Sequence, residues 1–183
     1  MPNPHVPHPE PPPAGSSRAH IWALVLTGIG LFMVTLDNLV VTTALPVIRV
    51  DLGASVETLG WVVNAYTLAF SVLLLTGAAL GDRLGRRRVF AAGLVIFALA
   101  SAGCALAPSI EWLIFFRALQ GLSAGVGMIV GRAGIRDLYH GHDAQRLMSQ
   151  VSMLFGIAPA IAPIIGGWIL LSGAGWPLIF WFL

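Results

Sequence analysis

Five long apolar stretches separated by short connections constrain this chain more than any other feature. They run over residues 21–45, 59–80, 89–107, 110–131 and 147–171, each near the ~20 residues a helix needs to cross a bilayer. A sixth begins at Trp176 and reaches the last residue, Leu183. Eight residues rise only ~12 Å as a helix against a hydrocarbon core of ~30 Å, so this last span is expected to be cut off. The predicted fold is an all-α membrane protein with five transmembrane helices and a truncated sixth. Composition agrees: 57% of residues are hydrophobic and only 10% are charged, whereas soluble domains carry roughly 25% charged residues. A soluble enzyme or a nucleic-acid binder is excluded.

Before the first span, residues 1–13 hold Pro2, Pro4, Pro7, Pro9, Pro11, Pro12 and Pro13, which favours an extended, solvated tail. The apolar stretch that follows is too long for a cleavable signal and lacks a small-residue cleavage motif. Cys104 is the single cysteine, so an intramolecular disulfide is impossible and the residue reads as a small packing group. His5 and His8 in the tail lack further ligands, and His140-Gly141-His142 lacks the Glu of a metal motif. No glycine loop of the ATP-cradling kind occurs. No catalytic residue, metal or cofactor is expected.

All ten basic residues are arginines. If the spans alternate, Arg18, Arg83, Arg86, Arg87, Arg88, Arg132, Arg136 and Arg146 share one side, and the other has Arg49 with Asp51, Glu57 and Glu111. The positive-inside rule then predicts a cytoplasmic amino terminus. Trp22, Trp61, Trp112 and Trp176 fall near span ends, where indole rings favour the headgroup layer.

The expensive charges lie inside spans. Asp37 is nine residues before Pro46, and Arg117 is seven residues after Ile110, which places both ~10–14 Å below the outer surface. Each costs about 2.5–3.5 kcal/mol at a helix centre, so both must face protein or a watery cavity, where they can pair. Two readings follow: a packing salt bridge, or a proton site. Burial penalises a carboxylate and a neighbouring guanidinium favours it, and an acid between those influences can load and release a proton. Gln120, one turn from Arg117, presents its amide on nearly the same face.

Two further stretches carry signals beyond packing. In Gly81-Asp82-Arg83-Leu84-Gly85-Arg86-Arg87-Arg88, the arginines fit the positive-inside signal, but Asp82 stands at the unfavourable carboxyl end of a helix. It needs an arginine or another helix's amino end as partner, and Gly85 permits the tight reversal; a conformational latch is the reading. In Gly156–Gly167, Pro159 and Pro163 are four apart on one face; each removes a backbone donor and bends the helix. The small residues around them let another helix approach closely.

Together these stretches resemble the amino-terminal half of a major facilitator superfamily transporter, specifically its drug/proton antiporters. Leu36-Asp37-Asn38-Leu39-Val40-Val41-Thr42-Thr43-Ala44-Leu45-Pro46 resembles the first-helix signature of the fourteen-helix drug exporters. Ala78-Ala79-Leu80-Gly81-Asp82-Arg83-Leu84-Gly85-Arg86-Arg87 resembles the superfamily's loop motif, with Ala78 where the family usually has Gly. Arg117-Ala118-Leu119-Gln120-Gly121 is similar to the fourth-helix motif associated with proton coupling. Ala162-Pro163-Ile164-Ile165-Gly166-Gly167 resembles the fifth-helix antiporter motif, with Ala162 replacing Gly. Arg136-Asp137-Leu138-Tyr139 and Arg146-Leu147-Met148-Ser149 look more like the twelve-helix bicyclomycin/chloramphenicol-resistance branch. The resemblance covers about residues 20–183.

The resemblance implies one of two six-helix halves, with substrate bound near the midplane between them. Residues 1–19 would be a cytoplasmic tail and 20–183 an incomplete transmembrane half-domain in a bacterial inner membrane. It implies multidrug efflux by alternating access, a lipophilic small molecule leaving in exchange for protons. Asp37 would be the protonation site, Arg117 would tune it and relay the coupling, and Gln120 would line the substrate cavity. Asp82, Arg83, Gly85, Arg86 and Arg87 would form the latch, and Pro159, Pro163, Gly166 and Gly167 would pack at the interface between halves. The last two roles require a carboxyl-terminal half or another copy, and the chain alone is expected to be a truncated, inactive remnant. The alternatives are an uptake permease of the same superfamily, disfavoured by the Pro–Gly pattern, and a non-transporting membrane fragment that associates with a full-length partner.

Overall fold

The computed structural model describes residues 17–138, 142–173 and 175–183. Among the described residues six helices follow one another: α1 (Ser17–Asp51), α2 (Val56–Leu84), α3 (Arg86–Ala105), α4 (Ile110–Leu138), α5 (His142–Leu171) and α6 (Pro177–Phe182). Stretches apolar all round bury no polar backbone if every peptide group bonds within its own helix, which is the condition lipid imposes. Among the described residues four stretches are long and apolar enough to cross a membrane: Phe32–Asp51, Val56–Leu74, Arg86–Ala105 and Ile110–Ile129. A shorter apolar stretch, Gly156–Leu171, lies in α5.

The helix ends follow local chemistry. α1 does not stop at Pro46, the end expected from the apolar run, but continues to Asp51. It ends where Gly53 takes a positive φ of 61° and the Ala54 N–H bonds back to the Arg49 carbonyl at 3.1 Å, a Schellman-type stop. α2 starts at Ser55, whose hydroxyl accepts from the Thr58 N–H at 3.1 Å. A single residue, Gly85, joins α2 to α3. Its φ of 89° and ψ of 120° turn the chain in a conformation side-chain-bearing residues avoid. α5 is continuous through both prolines.

α1 and α4 occupy the centre. α4 packs along α2 and α3, while α1 packs along α5 and crosses α4. Leu36, Val40, Ala44 and Ile48 form a buried stripe on α1, meeting Val62 of α2, Leu113 of α4, Ala162 and Ile169 of α5 and Ile179 and Phe180 of α6. Glycines set the closest approaches. A Cβ at Gly121 would collide with the Tyr66 backbone carbonyl, and one at Gly125 would lie 2.7 Å from the Phe70 carbonyl oxygen. The spacing of these glycines lets α2 lie backbone-to-backbone on α4, as small residues do in membrane packing.

The outer surface is apolar. Leu99 is 67% exposed, Ile164 71%, Trp168 73% and Leu171 89%, a distribution suited to lipid rather than water. Trp61 and Trp112 are also exposed, but Trp176 is not the interfacial anchor that its place near a span end predicted. It is buried, and its Nε1 donates to Asp51 Oδ2 at 2.7 Å. Asp51 gives the indole N–H a partner within the protein, so the ring closes α6 over the end of α1. The side chains of Arg18, Trp22, Arg132, Arg136, Asp137, His142 and Arg146 lie outside the described ones, as do residues 1–16, Tyr139 and His140.

Candidate functional site

The centre of the molecule holds an ion pair. Arg117 of α4 donates through Nη1 to Oδ2 of Asp37 on α1 at 2.6 Å, and both side chains are 0% exposed. The same Nη1 donates to Gln120 Oε1 at 3.0 Å, and Nε reaches the Val62 carbonyl of α2 at 3.4 Å. The guanidinium carbon stands 4.2 Å from the centroid of the Tyr66 ring, a cation–π arrangement. Four helices surround one charge, because α3 also contributes. Gln120 Nε2 donates to Ser101 Oγ at 2.6 Å, and Cys104 Sγ donates to Gln120 Oε1 at 3.3 Å.

The pair is not saturated. Asp37 Oδ1 and Arg117 Nη2 are buried without a hydrogen-bond partner among the described residues, as is Oδ1 of Asn38. An unsatisfied buried polar atom costs about 1–3 kcal/mol, more when charged. The site therefore retains unused bonding capacity where lipid and packing offer least relief.

Gly121 explains how so many groups reach one guanidinium. With no side chain there, the Tyr66 backbone can press against α4, which puts the Val62 carbonyl and the Tyr66 ring over Arg117 one turn earlier. The Tyr66 hydroxyl donates to the Val34 carbonyl of α1 at 3.2 Å and ties α2 to the helix that carries Asp37. Beside this cluster runs a groove of about 400 Å³, lined by Val34, Thr35, Asn38, Leu39, Tyr66, Thr67, Phe70, Met128 and Pro159. Its size lies within the range of small-molecule sites. Gln120, expected as a cavity amide, is fully buried toward α3 and is not part of this lining.

The other sequence-selected residues lie elsewhere. Asp82, in the last turn of α2, accepts from Arg86 of α3 at 3.3 Å (Nε) and 3.0 Å (Nη2), across the Gly85 turn. Arg87 is exposed, and Arg83 lines a hollow of about 320 Å³ with Leu73, Thr76, Ala79 and Leu80. On α5 the small residues divide by face. Ala158, Ala162 and Gly166 are buried, and a Cβ at Gly166 would sit 3.3–3.4 Å from Thr43 and Val40 of α1. Pro159 and Pro163 are exposed, and Gly167 has open space beside it. Sequence reasoning did not select Tyr66, Ser101 or Val62. Gly121, inside the fourth-helix motif, was the available pointer to the α2 contact.

In helical membrane proteins, charges inside the spans commonly mark ion or substrate paths. The chain belongs to the Major Facilitator Superfamily, whose sequence profile matches residues 27–183. It is 38% identical over 160 residues to the multidrug transporter protein MdtP of Bacillus subtilis, a match covering 86% of this chain and 29% of that protein. It is 35% identical over 169 residues to the tetracenomycin C resistance and export protein of Streptomyces glaucescens, covering 92% and 31%. It is 34% identical over 166 residues to the multidrug resistance protein Stp of Mycobacterium tuberculosis, covering 90% and 31%. The chain thus spans less than a third of the length of these three relatives.

Proposed function

We propose that this chain forms the amino-terminal transmembrane half-domain of a proton-coupled multidrug exporter that works by drug/proton antiport. Asp37 carries the proton, Arg117 is its counter-ion, and the adjoining groove is the foothold of a lipophilic substrate. The observation that carries the reading is the fully buried Asp37–Arg117 pair, joined at 2.6 Å, with one polar atom on each partner unpaired among the described residues. As a strut such a pair is poor, because desolvation offsets much of its attraction, and apolar residues of similar volume hold helices at least as well. As a switch it is apt. Protonation neutralises the carboxyl, weakens its hold on the guanidinium, and leaves Arg117 to Gln120 and the Tyr66 ring. The names of the relatives, which concern drug transport, resistance and export, support the substrate class.

In the same reading the amino terminus and the α2–α3 turn face the cytoplasm of a bacterial inner membrane, since Arg83, Arg86, Arg87 and Arg88 gather there. Asp82 and Arg86, held by the Gly85 turn, latch one state of the cycle. The exposed Pro159 and Pro163, with the open space beside Gly167, meet a second six-helix half or another copy. Alternating access belongs to that larger assembly.

Drug-stimulated proton movement in everted membrane vesicles tests this. The chain is compared with a version extended by a related second half, each with its Asp37→Asn variant. A response from the extended chain that Asp37→Asn silences is expected. No response from either, across chemically diverse drugs, contradicts the antiport reading.

A further inference from the structure

Among the described residues, the Arg117 guanidinium touches Asp37, Gln120, Val62 and Tyr66. Asp37, Arg117 and Gln120 are 0% exposed, so a molecule in the groove cannot meet the charges directly. Tyr66 differs from the other three contacts: it covers the guanidinium and also belongs to the groove wall. Its ring continues that wall toward Phe70, whose ring lies 6.2 Å away and within 9° of parallel.

We propose that Tyr66 is the coupling residue of the site, a positioning group whose ring transmits the state of the Asp37–Arg117 pair to an aromatic ligand in the groove, and the reverse. The proposal deepens the antiport reading and rests on it. Besides the Gln120 and Val62 oxygens, the buried guanidinium charge is offset by the carboxylate and the electron-rich ring face. Protonating Asp37 removes the first and leaves the second carrying more, and cation–π attraction is worth about 2 kcal/mol or more when desolvated. An aromatic cation in the groove lies against Phe70, whose ring stacks on that of Tyr66, and against the small exposed part of Tyr66 itself, and so acts on the same π system. Occupancy of the groove therefore disfavours the state in which Arg117 leans hardest on Tyr66, which is the protonated state of Asp37.

Ligand entry then promotes proton release, the sense of exchange that antiport needs. The ring cannot simply swing aside. Tyr66 is 3% exposed, its hydroxyl is bound to the Val34 carbonyl, and Gly121 presses on its backbone.

The chain holds two tyrosines, Tyr66 and Tyr139, so 3-fluorotyrosine incorporated into a Tyr139→Phe background gives one fluorine resonance that reports Tyr66. The chain is placed in phosphatidylcholine nanodiscs and titrated with acid, with and without ethidium, whose own fluorescence reports binding. The resonance is expected to follow one pH transition that Asp37→Asn abolishes. Ethidium is expected to move that resonance and displace the midpoint by about half a pH unit, the linkage equivalent of a roughly threefold coupling.

If ethidium binds but leaves resonance and midpoint in place, Tyr66 is not the link, and the antiport reading stands. If ethidium does not bind, or the resonance has no Asp37-dependent transition, the inference is overturned, while the antiport reading is decided by the vesicle comparison with the extended chain. Two variants guard against a merely structural effect. Tyr66→Phe should keep the pH dependence of ethidium affinity and Tyr66→Leu should lose it, whereas a packing defect lowers affinity equally in acid and alkaline buffer. Wild-type pH dependence in Tyr66→Leu overturns the proposal.

Discussion

Asp82–Arg86 and Asp37–Arg117 are the same chemical pair in opposite surroundings. The first spans four residues across a glycine turn, closes at 3.0 Å, and leaves its aspartate 62% and its arginine 36% exposed. The second joins residues 80 apart in sequence, closes at 2.6 Å, and is fully buried. Local chain geometry brings the first pair together at little cost, and water screens it. The second exists because α1, α2, α3 and α4 surround it, and its energy is that of a charge with nowhere else to go. The difference separates a pair that can exchange partners freely from one whose protonation, as proposed, would change the balance of the whole core.

The largest test breaks the buried pair from one side. Arg117→Met leaves Asp37 without its counter-charge and should lower stability by about 3–5 kcal/mol, read as denaturation in mild detergent followed by circular dichroism. The double variant Asp37→Leu/Arg117→Met should recover most of that loss while abolishing proton exchange. A double variant as unstable as the single one would make the pair a strut.

Next in size is the packing that assembles the site. Gly121→Ala drives a methyl group into the Tyr66 carbonyl, where no side-chain rotation gives relief, and should cost about 2–3 kcal/mol in the same denaturation assay. It should also detach the Tyr66 ring from Arg117. The corresponding change on the exposed side, Gly85→Ala, meets no neighbour within 4 Å but must adopt a φ of 89°. Its expected cost is about 1–2 kcal/mol, from backbone strain alone. Asp82→Asn should change stability least, by about 1 kcal/mol or less. Denaturation midpoints for it and the parent should converge at high salt, whereas the Arg117→Met defect should persist.

The sequence made the helices and the central pair legible for one reason: lipid makes both polar backbone and stray charge expensive. Asp37 and Arg117 stood out because each interrupts an apolar run at similar depth, and comparable depth on two spans is enough to suggest contact. The neutral members of the site gave no such signal. Tyr66, Ser101 and Cys104 are ordinary residues in membrane helices, and their contacts reach Val34, Arg117 and Gln120 across 16 to 51 positions of chain. Helices apolar on every side do not reveal which face turns inward, so Gln120 read as a cavity amide although it is buried against α3. Trp176 failed likewise, because Asp51, the partner of its indole, belongs to a helix that outran its apolar stretch by crossing Pro46.

The most direct test of the account is whether Asp37 takes up a proton inside the folded chain. Isotope-edited infrared difference spectroscopy, with 13C-labelled aspartate and membranes stepped in pH, reads the carboxyl C=O stretch directly. The account predicts a protonated-carboxyl band that comes and goes reversibly with pH, disappears in Asp37→Asn, and shifts when ethidium fills the groove. A band pattern identical in the parent chain and Asp37→Asn would show that Asp37 keeps one protonation state throughout and would contradict the assignment of proton coupling to this pair.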